Sequence, residues 1–588
     1  MFALLIAWLI ILFVFLVFGD MLISVYYFFT RQYEKYTFLD TFLLGMCGVA
    51  MVVMLISFWW PTGFHALIFL LLVSVAYVLF RRKRIGDLLS QYANGFRKIP
   101  LTYRVLIIMA MLLIMVHATL APIWVDTSYY HIQNIMWNDQ YHVVPGLANL
   151  QPRFGFNSNY YLLCSVFGLK PLFGQYIFGV HTLCIALIFG WIIYKTAKSK
   201  SVVTSLIALF IFGLFVFVYK LHISSPSSDL LPNLLVLYLF LKIIFDREAV
   251  KKVPFLYFFI PAFCLTLKLS SFVICLFAAY VLWTCIRQKS YKQFSFLLMS
   301  ALVMGILWCA RTVIITGYLV FPYPAIDLFG FDWKIPVQYV IDQKDYIQSF
   351  ARVDNIPMQE ALSMSILEWL PKWWRVGMFY YFPVVNRGLF ILNVLSVPVM
   401  LVLFFMLKNK RKDYLSLFGA WLVAFGGFVF WLFSAPDFRF AYGFILPMAF
   451  IPVFIILLVL EKRFFSENKI NPRLCLIISI GALSFVGIQS LRWVYYQRDG
   501  RQPVYAIMYK PESVSRTKEL RESRYNRKIE FIPYTINNVT IYTPTLETHC
   551  FDCDLPCSLD FTGGLEMRGS SLQEGFKTKS DAPHRKTY

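Results

Sequence analysis

Fourteen stretches of this chain are apolar for about the length of a bilayer-crossing helix, and that repetition limits the possible folds more than any other feature. Windows of about 20 residues place spans near 2–29, 39–59, 64–80, 104–121, 175–194, 202–220, 232–245, 254–267, 270–286, 294–316, 380–407, 414–433, 441–460 and 474–492. Backbone N–H and C=O groups in lipid have to pair within their own segment, so each run is expected to be a helix. The expectation is an all-α polytopic membrane protein of about 14 transmembrane helices, followed from 493 onward by a small α+β or β-rich extramembrane unit. Composition agrees: of 588 residues, 59% are apolar and 15% charged, more apolar surface than a water-soluble interior can hide.

The net charge of +22 would suit a nucleic-acid partner, but the positives sit in short loops beside apolar runs. Arg81 to Arg84, Lys195/Lys198/Lys200, Lys251/Lys252, Arg287/Lys289/Lys292, Lys408 to Lys412 and Lys462/Arg463 all fall on one side of the fourteen spans. That side is expected to be the cytoplasm, which excludes nucleic acid as partner. It places the N-terminus, loops 122–174 and 317–379, and the tail outside a bacterial plasma membrane. The first run, Phe2 to Phe18, has no basic leader and no small-residue cleavage site, so it reads as a span and not a signal peptide.

The two long outer loops are rich in Trp, Tyr, Pro and Asn, and Met358 to Trp374 has the mixed polarity of helices lying in the membrane interface. In the tail, Lys528 to Pro533 and Val539 to Tyr542 have strand character, and roughly Thr578 to Tyr588 reads as disordered. Cys550, Cys553 and Cys557 admit a zinc site with His549 or one disulfide with a thiol left over; three is odd, so the pairing stays open.

Charged residues cluster at the outer ends of spans. Asp126, in Trp124-Val-Asp-Thr-Ser-Tyr-Tyr-His131, follows a span directly, where a partly desolvated carboxylate suits a general base acting on a lipid-borne substrate. The alternative is that it caps the next helix. Lys268, between two short apolar runs, and Arg439, in Pro436-Asp-Phe-Arg-Phe440, are suited to a phosphate, Arg439 through its planar fork; snorkelling and a water-facing turn are the alternatives. Asp229 and Arg311 add an acid and a base on the same side. Tyr130 and His131 are candidates for substrate contact. No metal-ligand spacing is present on one helix around His131, Asp139 and His142.

Taken together, these features resemble the GT-C superfamily of membrane glycosyltransferases. The matching positions are Asp126 after a module's first helix, Lys268 in Thr266-Leu-Lys268, Arg311-Thr-Val-Ile-Ile-Thr-Gly-Tyr-Leu-Val-Phe-Pro322 before a long outer loop, and Arg439 ahead of a span containing Pro447. The resemblance implies a GT-C-like module over 104–316, preceded by accessory helices in 1–103 and followed by the outer loop 317–379, helices in 380–492 and the tail 493–588. It implies an inverting enzyme that takes a sugar from a polyprenyl-phosphate carrier to a cell-envelope acceptor, a glycan, lipid or protein. Asp126 would be the base, Lys268 and Arg439 the phosphate ligands, and Asp229 or Arg311 would position sugar or acceptor; some relatives use a divalent metal. The chain departs from the pattern in having a single acid followed by Thr127, where relatives carry an acidic pair, and in its three extra leading spans. Tyr141 to Arg153 is also similar to an uncharacterised bacterial membrane-protein family. A polysaccharide polymerase or ligase and a lipid-linked-sugar flippase are the alternative functions.

Overall fold

In the computed structural model, the residues described are 1–377, 382–464, 472–498, 508–537, 539–545, 549–558 and 564–579. Nine helices among them are long and apolar enough to cross a membrane: Phe2–Thr30, Phe38–Ile56, Gly179–Ala197, Leu269–Arg287, Tyr291–Thr316, Pro383–Met406, Lys408–Ser434, Tyr442–Arg463 and Arg473–Arg492. A tenth exists if the bent pair Phe64–Phe80 and Arg82–Arg97 is one span. Four more apolar helices, Leu101–His117, Val202–Val218, Leu230–Phe245 and Pro254–Leu267, are shorter. The 16 residues of Leu230–Phe245 rise only about 24 Å. Fifteen of them are buried, so this helix is surrounded by protein and its length is not set by the lipid core.

Contacts at the helix ends fix two faces. On one, the Phe2 and Tyr509 rings stack at 6.1 Å, so the chain's start lies against the tail. The outer loop after His117 meets the tail there too: the Phe551 N–H donates to Ser128 O at 2.9 Å, and the Phe576 N–H to Pro145 O at 3.0 Å. On the other face, Lys242 pairs with Asp40 at 2.8 Å, and Glu461 accepts from the N–H of Val202 at 2.8 Å. Asp40 also closes a capping box with Thr37 that starts the Phe38–Ile56 helix.

The basic stretch from Arg81 is expected to be a cytoplasmic loop; it folds as the Arg82–Arg97 helix, turned 94° from the helix before it. Its charges cannot follow the preceding helix into an apolar setting, and Ile85 is its one buried side chain. Arg84 ties it to Asp20 of the first helix at 2.8 Å. The last long helix, Pro472–Arg498, runs past the expected tail boundary at 493. Residues 378–381, at the boundary between the second long loop and the next span, lie outside the described residues. Met358–Ser363 and Ile366–Lys372 are helical, as the mixed polarity of that loop suggests.

The tail holds the Val514–Tyr525 helix and two antiparallel two-stranded sheets. Strand β1 (Phe531–Ile536) pairs with β2 (Val539–Pro544) from Phe531↔Pro544 to Ile536↔Val539. Strand β3 (Leu565–Met567) pairs with β4 (Phe576–Thr578), so Thr578 is ordered, and 580–588, read as disordered, lie outside the described residues. Cys550 is bonded to Cys557 and Cys553 is a free thiol, which resolves the pairing and removes the zinc reading.

Candidate functional site

Four loops on the tail-bearing face bring their charged residues together. Asp126 begins the π-helical turn Thr127–His131 without capping it, so the capping alternative does not hold and both carboxylate oxygens are free for side chains. Its Oδ2 accepts from Trp124 Nε1 at 3.2 Å and from Arg439 Nη1 at 2.8 Å. Asp229 precedes the Leu230–Phe245 helix, also without a side-chain cap bond. Lys268 occupies the extended break between Pro254–Leu267 and the 3-10 turn Leu269–Ile274, and its ammonium donates to Asp229 Oδ1. Arg439 lies in the short turn Phe438–Phe440, where Asp437 accepts from its backbone N–H at 3.2 Å and from its Nε at 2.7 Å.

Arg439 is the hub. Its Nη1 lies 2.8 Å from Asp126 and 3.7 Å from Asp229, while its backbone carbonyl accepts from Tyr219 Oη at 2.5 Å. Its guanidinium carbon stands 5.1 Å from the Trp124 ring centre and 4.8 Å from that of Phe440. The Lys268 ammonium is 3.8 Å from the same Phe440 ring. The aromatic rings shield these ions in part, their side chains remaining between about a sixteenth and a quarter exposed, and each ring adds a cation–π attraction.

Arg153, which sequence reasoning did not single out, completes the cluster. Its Nη1 is 3.6 Å from Asp126 Oδ1, and its guanidinium lies 4.2 Å from the Tyr129 ring centre and 5.5 Å from those of Tyr130 and Tyr346. Three carboxylates (Asp126, Asp229, Asp437) therefore meet three cations (Arg439, Arg153, Lys268). Burial alone would raise the Asp126 carboxyl, but Arg439 foremost, then His131 and Arg153, hold it well below the usual carboxylate range. Asp229 is likewise lowered against its burial, chiefly by Lys268 and Arg439.

His131 is 1% exposed, and neither of its ring nitrogens has a hydrogen-bond partner among the described residues. Burial pushes its imidazole down to about 4, with Asp126 and Asp229 opposing. The Thr127 hydroxyl, four residues earlier in the same turn, is also buried and has no hydrogen-bond partner among the described residues. Burial raises the Tyr130 phenol, and the Asp126 charge adds to that. His222 stacks on Trp124 at 3.8 Å and shares a hydrogen bond of 2.7 Å with Ser227.

Arg311 does not join this group. It is 4% exposed and donates to Asn157 Oδ1 at 2.9 Å, to Ser57 Oγ at 2.6 Å and to Asn138 Oδ1. The described residues contain no group of three or more His, Cys, Asp or Glu side chains placed to hold a metal ion. The acids that do gather have their oxygens turned to guanidinium and ammonium groups, so this donor set does not fit a resident divalent cation.

Residues 1–446 match a family model described as a domain of unknown function (DUF8201). No curated protein matches the chain, and no solved structure does.

Proposed function

This chain belongs to the DUF8201 family, and from that footing we propose that it is an inverting membrane glycosyltransferase using a polyprenyl-phosphate-linked sugar. In this reading all fourteen apolar helices span a bacterial plasma membrane in a GT-C-like arrangement. The basic helix ends face the cytoplasm, and the ion cluster and tail face the periplasm. The observation that carries the proposal is the Asp126–Arg439–Asp229–Lys268 cluster, in which two cations suited to a phosphate lie beside a carboxylate suited to a proton.

The carrier phosphate docks against Arg439 and Lys268, drawing Arg439 from Asp126 and Lys268 from Asp229. Its planar fork lets Arg439 grip two phosphate oxygens at once. Released from that guanidinium, Asp126 recovers basicity when donor is bound, which couples proton abstraction to donor binding. An acceptor hydroxyl then attacks the anomeric carbon. The new C–O bond forms as the bond to the carrier phosphate breaks, the hydroxyl proton passes to Asp126, and the phosphate leaves with the bonding electron pair. His131, Thr127 and Tyr130 offer neutral hydrogen-bonding groups to sugar or acceptor hydroxyls. The acceptor is a cell-envelope glycan, lipid or protein. A flippase would need charges spaced along the bundle axis, whereas this cluster gathers at one end.

Asp126→Asn in purified protein reconstituted with a polyprenyl-phosphate sugar tests the role. The amide keeps the size but cannot take a proton, so transfer should fall by about 10²-fold or more in protein that remains folded. Transfer at the wild-type rate would remove Asp126 as the base.

A further inference from the structure

We propose that Arg311 belongs to a second site, one that binds a small monovalent anion of halide size. This inference is independent of the glycosyltransferase reading. Arg311 is a buried guanidinium whose hydrogen-bond partners among the described residues, Asn157, Ser57 and Asn138, are all neutral, and it forms no ion pair with a described residue. A buried cation without a counter-charge is strongly disfavoured, and neutral oxygens offset only part of that cost.

Arg311 lines a narrow cavity of about 10 Å³ together with Trp137, Asn134, Asn138, His142 and Asn157, among others, and no carboxylate is in the lining. The Trp137 side chain is 2% exposed, and its indole N–H, which can only donate, has no acceptor among the described residues. Two independent deficits thus meet at one cavity: a positive charge lacking a negative one, and a donor lacking an acceptor. A water would satisfy the N–H but leave the charge. A phosphate or carboxylate needs more room than a space of about one water. A halide, a single atom only a little larger than a water, satisfies both and is the anion closest in size to this space.

Its position gives the anion a structural role. Ser57 ends the Phe38–Ile56 helix, Asn138 lies in the Ile132–Gln140 helix, Asn157 follows a 3-10 turn, and Arg311 lies near the outer end of Tyr291–Thr316. Above them, Phe576 of the tail meets the Trp137 ring edge-on at 5.9 Å. An anion here would lock four segments of the outer face under the tail.

The test uses the full-length protein in nanodiscs, melted at constant ionic strength while gluconate is exchanged for chloride. The wild type should gain a few degrees in a saturable way, since a ligand that binds only the folded state raises its melting point. Arg311→Gln should lose that gain. If Arg311→Gln does not fold, Trp137→Phe carries the test: it removes only the N–H and should shift half-saturation to about tenfold higher chloride, the worth of one hydrogen bond to a charged group. Crystals grown with bromide should show anomalous signal between Arg311 and Trp137. Equal melting of the wild type in both salts, an undiminished chloride gain in Arg311→Gln, an unmoved half-saturation in Trp137→Phe, or a cavity holding water without bromide signal would each overturn the proposal.

Discussion

Arg439 is held by three carboxylates at once, and how it responds to substitution separates a phosphate ligand from a structural cation. Arg439→Lys keeps the charge but loses the fork, so it should raise the donor KM in steady-state assays, while Arg439→Ala should be far worse. Losing the cation shared by Asp126, Asp229 and Asp437 leaves three carboxylates close together, so the alanine variant should also melt lower. Equal donor dependence in all three proteins would reduce Arg439 to a structural ion. His131 gives a pH signature. Its folded value of about 4 lies below the unfolded value of about 6.5, so between these the unfolded chain binds the extra proton. Its contribution is therefore intact above pH 6.5 and is lost as pH falls toward 4, by about 3 kcal/mol. Melting curves at pH 7.5 and 5 should show a smaller difference in His131→Gln than in the wild type; equal differences would contradict this. At this scale the sequence was legible wherever a charge ended an apolar run, as with Asp126, Asp229, Lys268 and Arg439. Arg153 escaped because it stands in an irregular aromatic loop where no periodicity points to a site. Arg311 was grouped with the others because the order of apolar runs indicates which end of the bundle a residue occupies but not its position around the rim.

Among the elements, the π-helical turn Thr127–His131 directly follows the candidate base, and the disulfide-closed loop of the tail bonds to it through the Phe551 N–H. Gln133 Nε2 donates to Phe551 O at 3.1 Å and to Cys553 O at 2.8 Å, and Ser128 Oγ lies 3.3 Å from His549 Nδ1. Gln133→Leu keeps the volume but leaves two carbonyls without that donor, at about 1–3 kcal/mol. Hydrogen exchange should then rise in 127–133 and 549–558 together, and turnover should drop; unchanged exchange in both segments would show that the tail does not hold the turn. The strands of the tail were readable from their β-branched and aromatic runs, with the first displaced: Lys528 to Pro533 was expected and Phe531–Ile536 formed. The Cys550–Cys557 pairing was not readable, because spacing leaves three options open and only the folded loop selects one. The Arg82–Arg97 helix was hidden because a basic run after an apolar one reads as a loop, and only the fold shows Ile85 buried and Arg84 paired with Asp20.

For the molecule as a whole, apolar periodicity made the helical bundle legible, since lipid leaves the backbone few alternatives. It did not distinguish helices long enough to span alone from short ones enclosed by neighbours, such as Leu230–Phe245. The bundle brings helix ends far apart in sequence together in one ion cluster, with Asp126 and Arg439 separated by 313 residues yet 2.8 Å apart. The central claim is that this cluster receives a lipid-linked phosphosugar. A structure of the full-length protein in nanodiscs with a polyprenyl-phosphate sugar tests it directly. The account predicts phosphate density within hydrogen-bonding distance of both Arg439 and Lys268, the Arg439–Asp126 contact opened, and the Asp126 carboxylate facing the anomeric carbon from the side opposite the phosphate. Phosphate density at another site, with the Asp126–Arg439 pair still closed, would contradict it.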